Sequence, residues 1–165
     1  MNLREKGVLF LSSGGFIGNI PFAPGTFGAL LGLPLCFLLS QVNWWVSIPF
    51  LLIFVTMAVW VCNKAEQLIQ ENDPGCIVID EISGMMLSLI GLPFNSISAV
   101  AGFVLFRLLD IFKPFPIRAV EKKFSGGMGI VLDDLAAGAI ANIILRVAFF
   151  LADTHQGFSF YKRFL

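Results

Sequence analysis

Apolar residues in this chain come in long runs parted by short polar breaks, and the runs predict helices. After a brief apolar start, SSGGFIGNIPFAPGTFG carries Gly14, Gly15, Gly18, Pro21, Pro24 and Gly25, which predicts irregular backbone. Phe27 to Leu39 reads as a short first span with Pro34 inside it. Trp44 to Cys62 carries no charge, and Trp44, Trp45 and Trp60 stand near its ends, as at a membrane interface. A polar segment from Asn63 to Gly75 closes on the turn signal Asn72-Asp73-Pro74-Gly75. Cys76 to Leu92 is apolar again, interrupted near its start by Asp80-Glu81. Leu92 to Ser96 reads as a tight hairpin, and Ile97 to Lys113 as a helix stopped by Pro114 and Pro116. Pro114 to Gly129 is a basic connection with Arg118, Lys122 and Lys123. Ile130 to Ala152 is a last long helix with Asp133-Asp134 at its start. No repeat or long linker divides the chain, so residues 1–165 are expected to form a single domain. The expected fold is all-α: a multi-pass membrane bundle with about five membrane-embedded helices.

Composition agrees with that class. Hydrophobic residues make up 57% of the chain, against roughly 45–50% in ordinary globular proteins, and mean hydropathy is +0.86. Formal net charge is zero, which offers no electrostatic footprint for nucleic acid. Cys36, Cys62 and Cys76 lack metal-ligand spacing and read as packing residues. Arg4 and Lys6 precede an apolar run, but Val8 to Leu11 is too short for a signal sequence and reads as mature chain.

Charge placement gives the spans a direction. With the basic connection on the cytoplasmic side, counting back two spans puts the Asn63–Gly75 loop on that side, and two more put Pro24-Gly25-Thr26 there. Asp80-Glu81, Arg107, Asp110 and Asp133-Asp134 then all fall at one membrane face. The tail, with Lys162 and Arg163, falls on the other side and disagrees with the rule.

Those charges need a partner. Arg107, Asp110 and Lys113 follow one another at three-residue spacing, along a slanting ribbon of one helix. Asp80, Glu81, Asp110, Asp133 and Asp134 outnumber the nearby bases, Arg107 and Lys113. Crowded like charges in low dielectric cost several kcal/mol per uncompensated ion. Either some of these acids are protonated or a divalent cation sits among them. Hard oxygen donors without His or Cys favour Mg²⁺, which commonly bridges carboxylates to substrate phosphate. Arg107 and Lys113 then suit phosphate oxygens. Each feature has a plainer reading alone: acids favoured at a helix N-terminus, an N-cap, an i,i+3 ion pair. One shared site explains all three together. The glycine-rich turn with Asn19, Gly25 and Thr26 offers backbone N–H groups or the Thr26 hydroxyl to close it.

Other phosphatase chemistries lack their residues. A cysteine phosphatase loop needs Arg at a fixed distance after Cys, where this chain has Val42, Leu68 and Ile82. His155 is the only histidine and lies in the tail, and no DxD motif occurs. Metal-assisted attack by water, or by a carboxylate, remains.

The blocks PFAPGTFGALLGLPL, IVIDEISGM, GFVLFRLLDIFKPFPIR and GGMGIVLDDLAAG, in that order, resemble the phosphatidylglycerophosphatase A family. The resemblance implies a bacterial inner-membrane enzyme that removes the terminal phosphate of phosphatidylglycerophosphate with Mg²⁺, its site facing the cytoplasm. It places the family's acidic positions on Asp80, Glu81, Asp110, Asp133 and Asp134. A reading from another class is a membrane transporter or channel subunit, for which Arg146 in the last span is the best support. It expects acids spread through the depth of the membrane.

Overall fold

The computed structural model describes the backbone of residues 1–156 and side chains to residue 153. Within these it is all-helical, with seven α-helices and one short 3₁₀ turn. They are α1 (Leu3–Ser12), the turn Ile17–Asn19, α2 (Pro24–Ser40), α3 (Trp44–Ile69), α4 (Ile79–Leu89), α5 (Ser96–Phe112), α6 (Ile117–Lys123) and α7 (Gly126–Gln156). The tail positions Lys162 and Arg163 lie outside the described residues, as does the His155 side chain.

α4 is the centre of the bundle. Ile79, Asp80, Ile82, Ser83, Gly84, Met85, Met86, Ser88 and Leu89 are all buried, so nearly every face is covered. Its neighbours come close because glycines let them. Gly28 and Gly32 of α2 face Val78 and Met85, and Gly84 lies against Gly138 of α7 and Phe106 of α5. These pairs fix directions. α2, α4 and α7 run the same way, since Gly32 and Gly138 meet later residues of α4 than Gly25 and Asp134 do. α5 runs against them, with Gly102 beside Leu89 and Arg107 beside Glu81. One end of the bundle therefore gathers the starts of α2 and α4, the end of α5, α6 and the first turns of α7.

Two helices, α3 and α7, are long and apolar enough to cross a membrane by length and composition. That is fewer than the five embedded helices expected. α4 has 11 residues, about 16 Å at 1.5 Å each, against a hydrocarbon core of about 30 Å. Its apolar run serves protein packing instead. α5 spans 17 residues and α2 also 17, but both carry apolar outer faces. Ile97, Val100, Val104, Leu108 and Ile111 form an exposed stripe down α5 at three- and four-residue spacing. On α3, Trp44, Trp45, Leu52, Ile53 and Trp60 are likewise exposed.

Three further boundaries differ from expectation. α3 continues through the polar segment to Ile69. α7 begins at Gly126, so Asp133-Asp134 stand two turns inside it and not at its start. The basic connection contains α6. A first helix, α1, also forms, held by a capping box in which the Asn2 side chain accepts from the Glu5 N–H at 2.9 Å and the Glu5 carboxylate accepts from the Asn2 N–H at 2.8 Å.

Candidate active site

The first turn of α4 points Asp80 and Glu81 toward α7 and α5. The Val78 N–H donates to the Ser12 carbonyl at 2.8 Å, which ties this turn to the end of α1. One carboxylate oxygen each from Asp80, Glu81 and Asp134 lie within 4.8 Å of one another. Asp134 arrives from α7 because the Gly84–Gly138 contact lets the two helices run side by side. Asp80 Oδ1, Glu81 Oε2 and Asp133 Oδ1 are buried with no hydrogen-bond partner. Buried acceptors left unpaired are costly, and Asp80, Glu81 and Asp134 offer oxygens that could hold a metal ion.

The cations expected at the site are there. Arg107 donates through Nη1 to Asp110 and lies 3.9 Å from Glu81 Oε1. Its Nε is buried and unpartnered. Lys113 is the residue just after α5, with a left-handed φ of 43°. That conformation costs a non-glycine residue about 1–2 kcal/mol. It turns the ammonium back to Asp133 on α7 and to Glu121 on α6, the latter at 2.9 Å. The contacts form two sets at one end of the bundle: Asp80, Glu81 and Asp134 with Arg107 and Asp110, and Lys113 with Asp133 and Glu121.

The electrostatics follow from burial. Loss of water pushes the Asp80 carboxyl well above the ordinary range, and the charges of Glu81 and Asp134 push it further. Burial also raises Glu81, partly offset by the adjoining Asp80 and by Arg107. For Lys113 burial acts downward, but its bonds to Asp133 and Glu121 outweigh it and the ammonium is held more firmly.

The glycine-rich turn divides. Gly25 is buried against the site: a Cβ there would strike Glu81 Oε1 and come within 3.0 Å of Arg107 Nη1. Thr26 is half-buried beside it, and its N–H is used within the turn, donating to the Ala23 carbonyl at 2.9 Å. Asn19 is exposed at the end of the 3₁₀ turn, with no side-chain bond to the acids. One residue in contact with these groups lies outside the sequence reading: Glu121, a lone acid in a basic stretch, which accepts from Lys113. Cys62 is buried in α3 as a packing residue and is not in the carboxylate group.

Comparison with known proteins shows the family. The Phosphatidylglycerophosphatase A family model matches residues 10–149. A protein of that name from Escherichia coli (strain K12) is 39% identical over 129 residues, covering 78% of this chain and 75% of its own. Its namesake in Haemophilus influenzae is 37% identical over 130 residues, covering 78% and 80%. A Bacteroides thetaiotaomicron relative, provisionally named a phosphatidylinositol-3-phosphatase, is 38% identical over 139 residues, covering 79% and 86%. No solved structure matches significantly. By class the chain is a phosphatase. It belongs to the Phosphatidylglycerophosphatase A family.

Proposed function

We propose that this chain is an Mg²⁺-dependent lipid phosphatase that converts phosphatidylglycerophosphate to phosphatidylglycerol and phosphate. The observation that carries the reading is the carboxylate group Asp80, Glu81 and Asp134, with Arg107 3.9 Å from Glu81 and Lys113 paired to the adjoining Asp133. Carboxylate oxygens without His or Cys suit a hard cation. Asp80, Glu81 and Asp134 would hold Mg²⁺, with Asp110 and Asp133 ready to orient it or a water. When bound, the ion would polarise the phosphoryl group and lower the pKa of water. Arg107 and Lys113 hold phosphate oxygens, and one of the five acids takes the proton from the attacking water. Gly25 lets the start of α2 lie close against Glu81 and Arg107, which keeps both side chains at the site.

The bundle embeds in the inner membrane as a multi-pass protein, its site facing the cytoplasm. The exposed apolar stripe of α5 and the outer faces of α3 and α7 support this placement. Acyl chains then stay in the bilayer while the headgroup reaches the acids at its edge. The names of the relatives differ in headgroup, so the deciding assay offers phosphatidylglycerophosphate and phosphatidylinositol 3-phosphate side by side. Faster phosphate release from the first, abolished by EDTA and restored by Mg²⁺, is expected. Undiminished turnover in EDTA would remove the cation from the scheme.

The transporter reading has lost its best support. Arg146 donates to the Ile90 carbonyl at 2.9 Å and to Asn142 Oδ1 at 2.7 Å, which engages it in closing the end of α4.

A further inference from the structure

We propose that α6 and the aromatic residues around it form a strap that docks on the anionic surface of the bilayer and so holds Lys113 at headgroup level. The inference rests on the reading of the chain as a membrane-embedded lipid phosphatase. α6 is fastened by one side only: Ile117 is fully buried, and the helix packs on α7. Its outer side carries Arg118, Lys122 and Lys123, all exposed and none ion-paired among the described residues. The one acid of α6, Glu121, is turned to Lys113. Phe112 and Phe115, just before α6, are 74% and 88% exposed. Lys123 Nζ lies 5.7 Å from the Phe124 ring centroid.

The occupant follows from continuity and charge. The exposed stripe of α5 ends in Leu108, Ile111 and Phe112, and the cations begin one short turn later. An apolar face that gives way to aromatics and then to unpaired cations is the profile of a bilayer edge. Anionic lipid matches those cations, each worth roughly fivefold in surface partitioning. A strap seated there steadies Glu121, and through it the ammonium of Lys113.

The test uses the full chain in nanodiscs, with an environment-sensitive dye on Ala119→Cys in a Cys76→Ser background. Ala119 is exposed, while Cys36 and Cys62 are buried. Emission should shift to the blue in phosphatidylcholine discs containing phosphatidylglycerol, relative to pure phosphatidylcholine. The shift should collapse at about 0.5 M salt, where screening acts within a few ångströms. Arg118→Gln, Lys122→Gln and Lys123→Gln together should remove it, through a loss of roughly a hundredfold in partitioning. Equal emission in both bilayers, or a shift that survives in the triple variant, overturns the proposal. The latter outcome would instead favour a docking that ignores lipid charge. The dye reports docking whether or not phosphate is released, so this result stands apart from the assay of the phosphatase reading.

Discussion

Gly84 of α4 and Gly138 of α7 meet backbone to backbone, so that a Cβ on Gly138 would collide with the Gly84 carbonyl oxygen. The colliding atom belongs to a buried helix and cannot swing aside. Gly138→Ala should therefore cost toward the upper end of the ~1–3 kcal/mol typical of overpacking. The gain of about 1 kcal/mol from replacing glycine in a helix offsets only part of that. A lower thermal midpoint in detergent is expected. Phosphate release should fall with it, because the same contact sets the distance of Asp134 from Asp80. A midpoint equal to or above the parent's would mean that the helices have slack here.

Asp134→Asn tests the carboxylate group without changing its shape. Removing one buried negative charge relieves repulsion from Asp80 and Glu81. In EDTA the variant should match or exceed the parent in stability. Adding Mg²⁺ should stabilise the parent by RT ln(1 + [Mg²⁺]/Kd), about 2.7 kcal/mol at a hundred times Kd, and the variant by much less. Phosphate release should drop by at least about a hundredfold. Thermal scans with and without Mg²⁺, beside the assay, check both halves. Parent-like turnover in the folded variant would refute the metal assignment.

Arg146 and Asn142 predict the opposite pattern. Asn142 donates to the Ser88 carbonyl at 3.1 Å and to the Ile90 carbonyl at 3.0 Å, and Arg146 reaches Ile90 from one turn further on. Together they satisfy carbonyls that the end of a buried helix leaves open. Arg146→Met should cost about 1–3 kcal/mol of stability, because it leaves Asn142 Oδ1 without its donor and removes one of the two donors to the Ile90 carbonyl. It should leave kcat for phosphate release within about twofold once the protein is folded, since the cap lies at the far end of α4 from Asp80. A large fall in kcat at full folding would draw Arg146 into the chemistry.

That these acids gather at one end of the bundle was legible in the sequence, because Asp80, Asp133 and Asp134 buried in an apolar chain, with Glu81 and Asp110 half-buried, are expensive and expense narrows the explanations. The helix boundaries were less so. Hydropathy alone cannot tell lipid from protein as the neighbour, and α4 has the apolar character of a span while lying inside the bundle. Gly126-Gly127-Met128-Gly129 has the composition of a loop, yet it opens α7. A Cβ on Gly127 would strike the α3 backbone at Val59 and Asn63, so this glycine serves close helix packing. That start four residues earlier, about one turn, is what moves Asp133-Asp134 into the body of the helix. α1 shows little apolar periodicity, and the Asn2–Glu5 capping box holds its first turn. The pairing of Lys113 with Glu121 had no periodic signal, since it depends on how α6 folds back.

Gly25→Ala separates packing at the site from stability of the fold. Gly25 is the second residue of α2, where alanine is the better helix former by up to about 1 kcal/mol. The added methyl would meet Glu81 Oε1 and sit 3.0 Å from Arg107 Nη1. Glu81 is the end of a flexible side chain, so it can move, and moving takes it from Asp80 and Asp134. The variant should keep a thermal midpoint near the parent's in EDTA. It should lose roughly tenfold or more in kcat/KM and need more Mg²⁺ for half-maximal rate, by the tens-fold scale seen when groups that orient a metal ligand are disturbed. Parallel Mg²⁺ titrations of parent and variant check this, and an unchanged Mg²⁺ requirement with an unchanged rate would show that Glu81 stands outside the metal group.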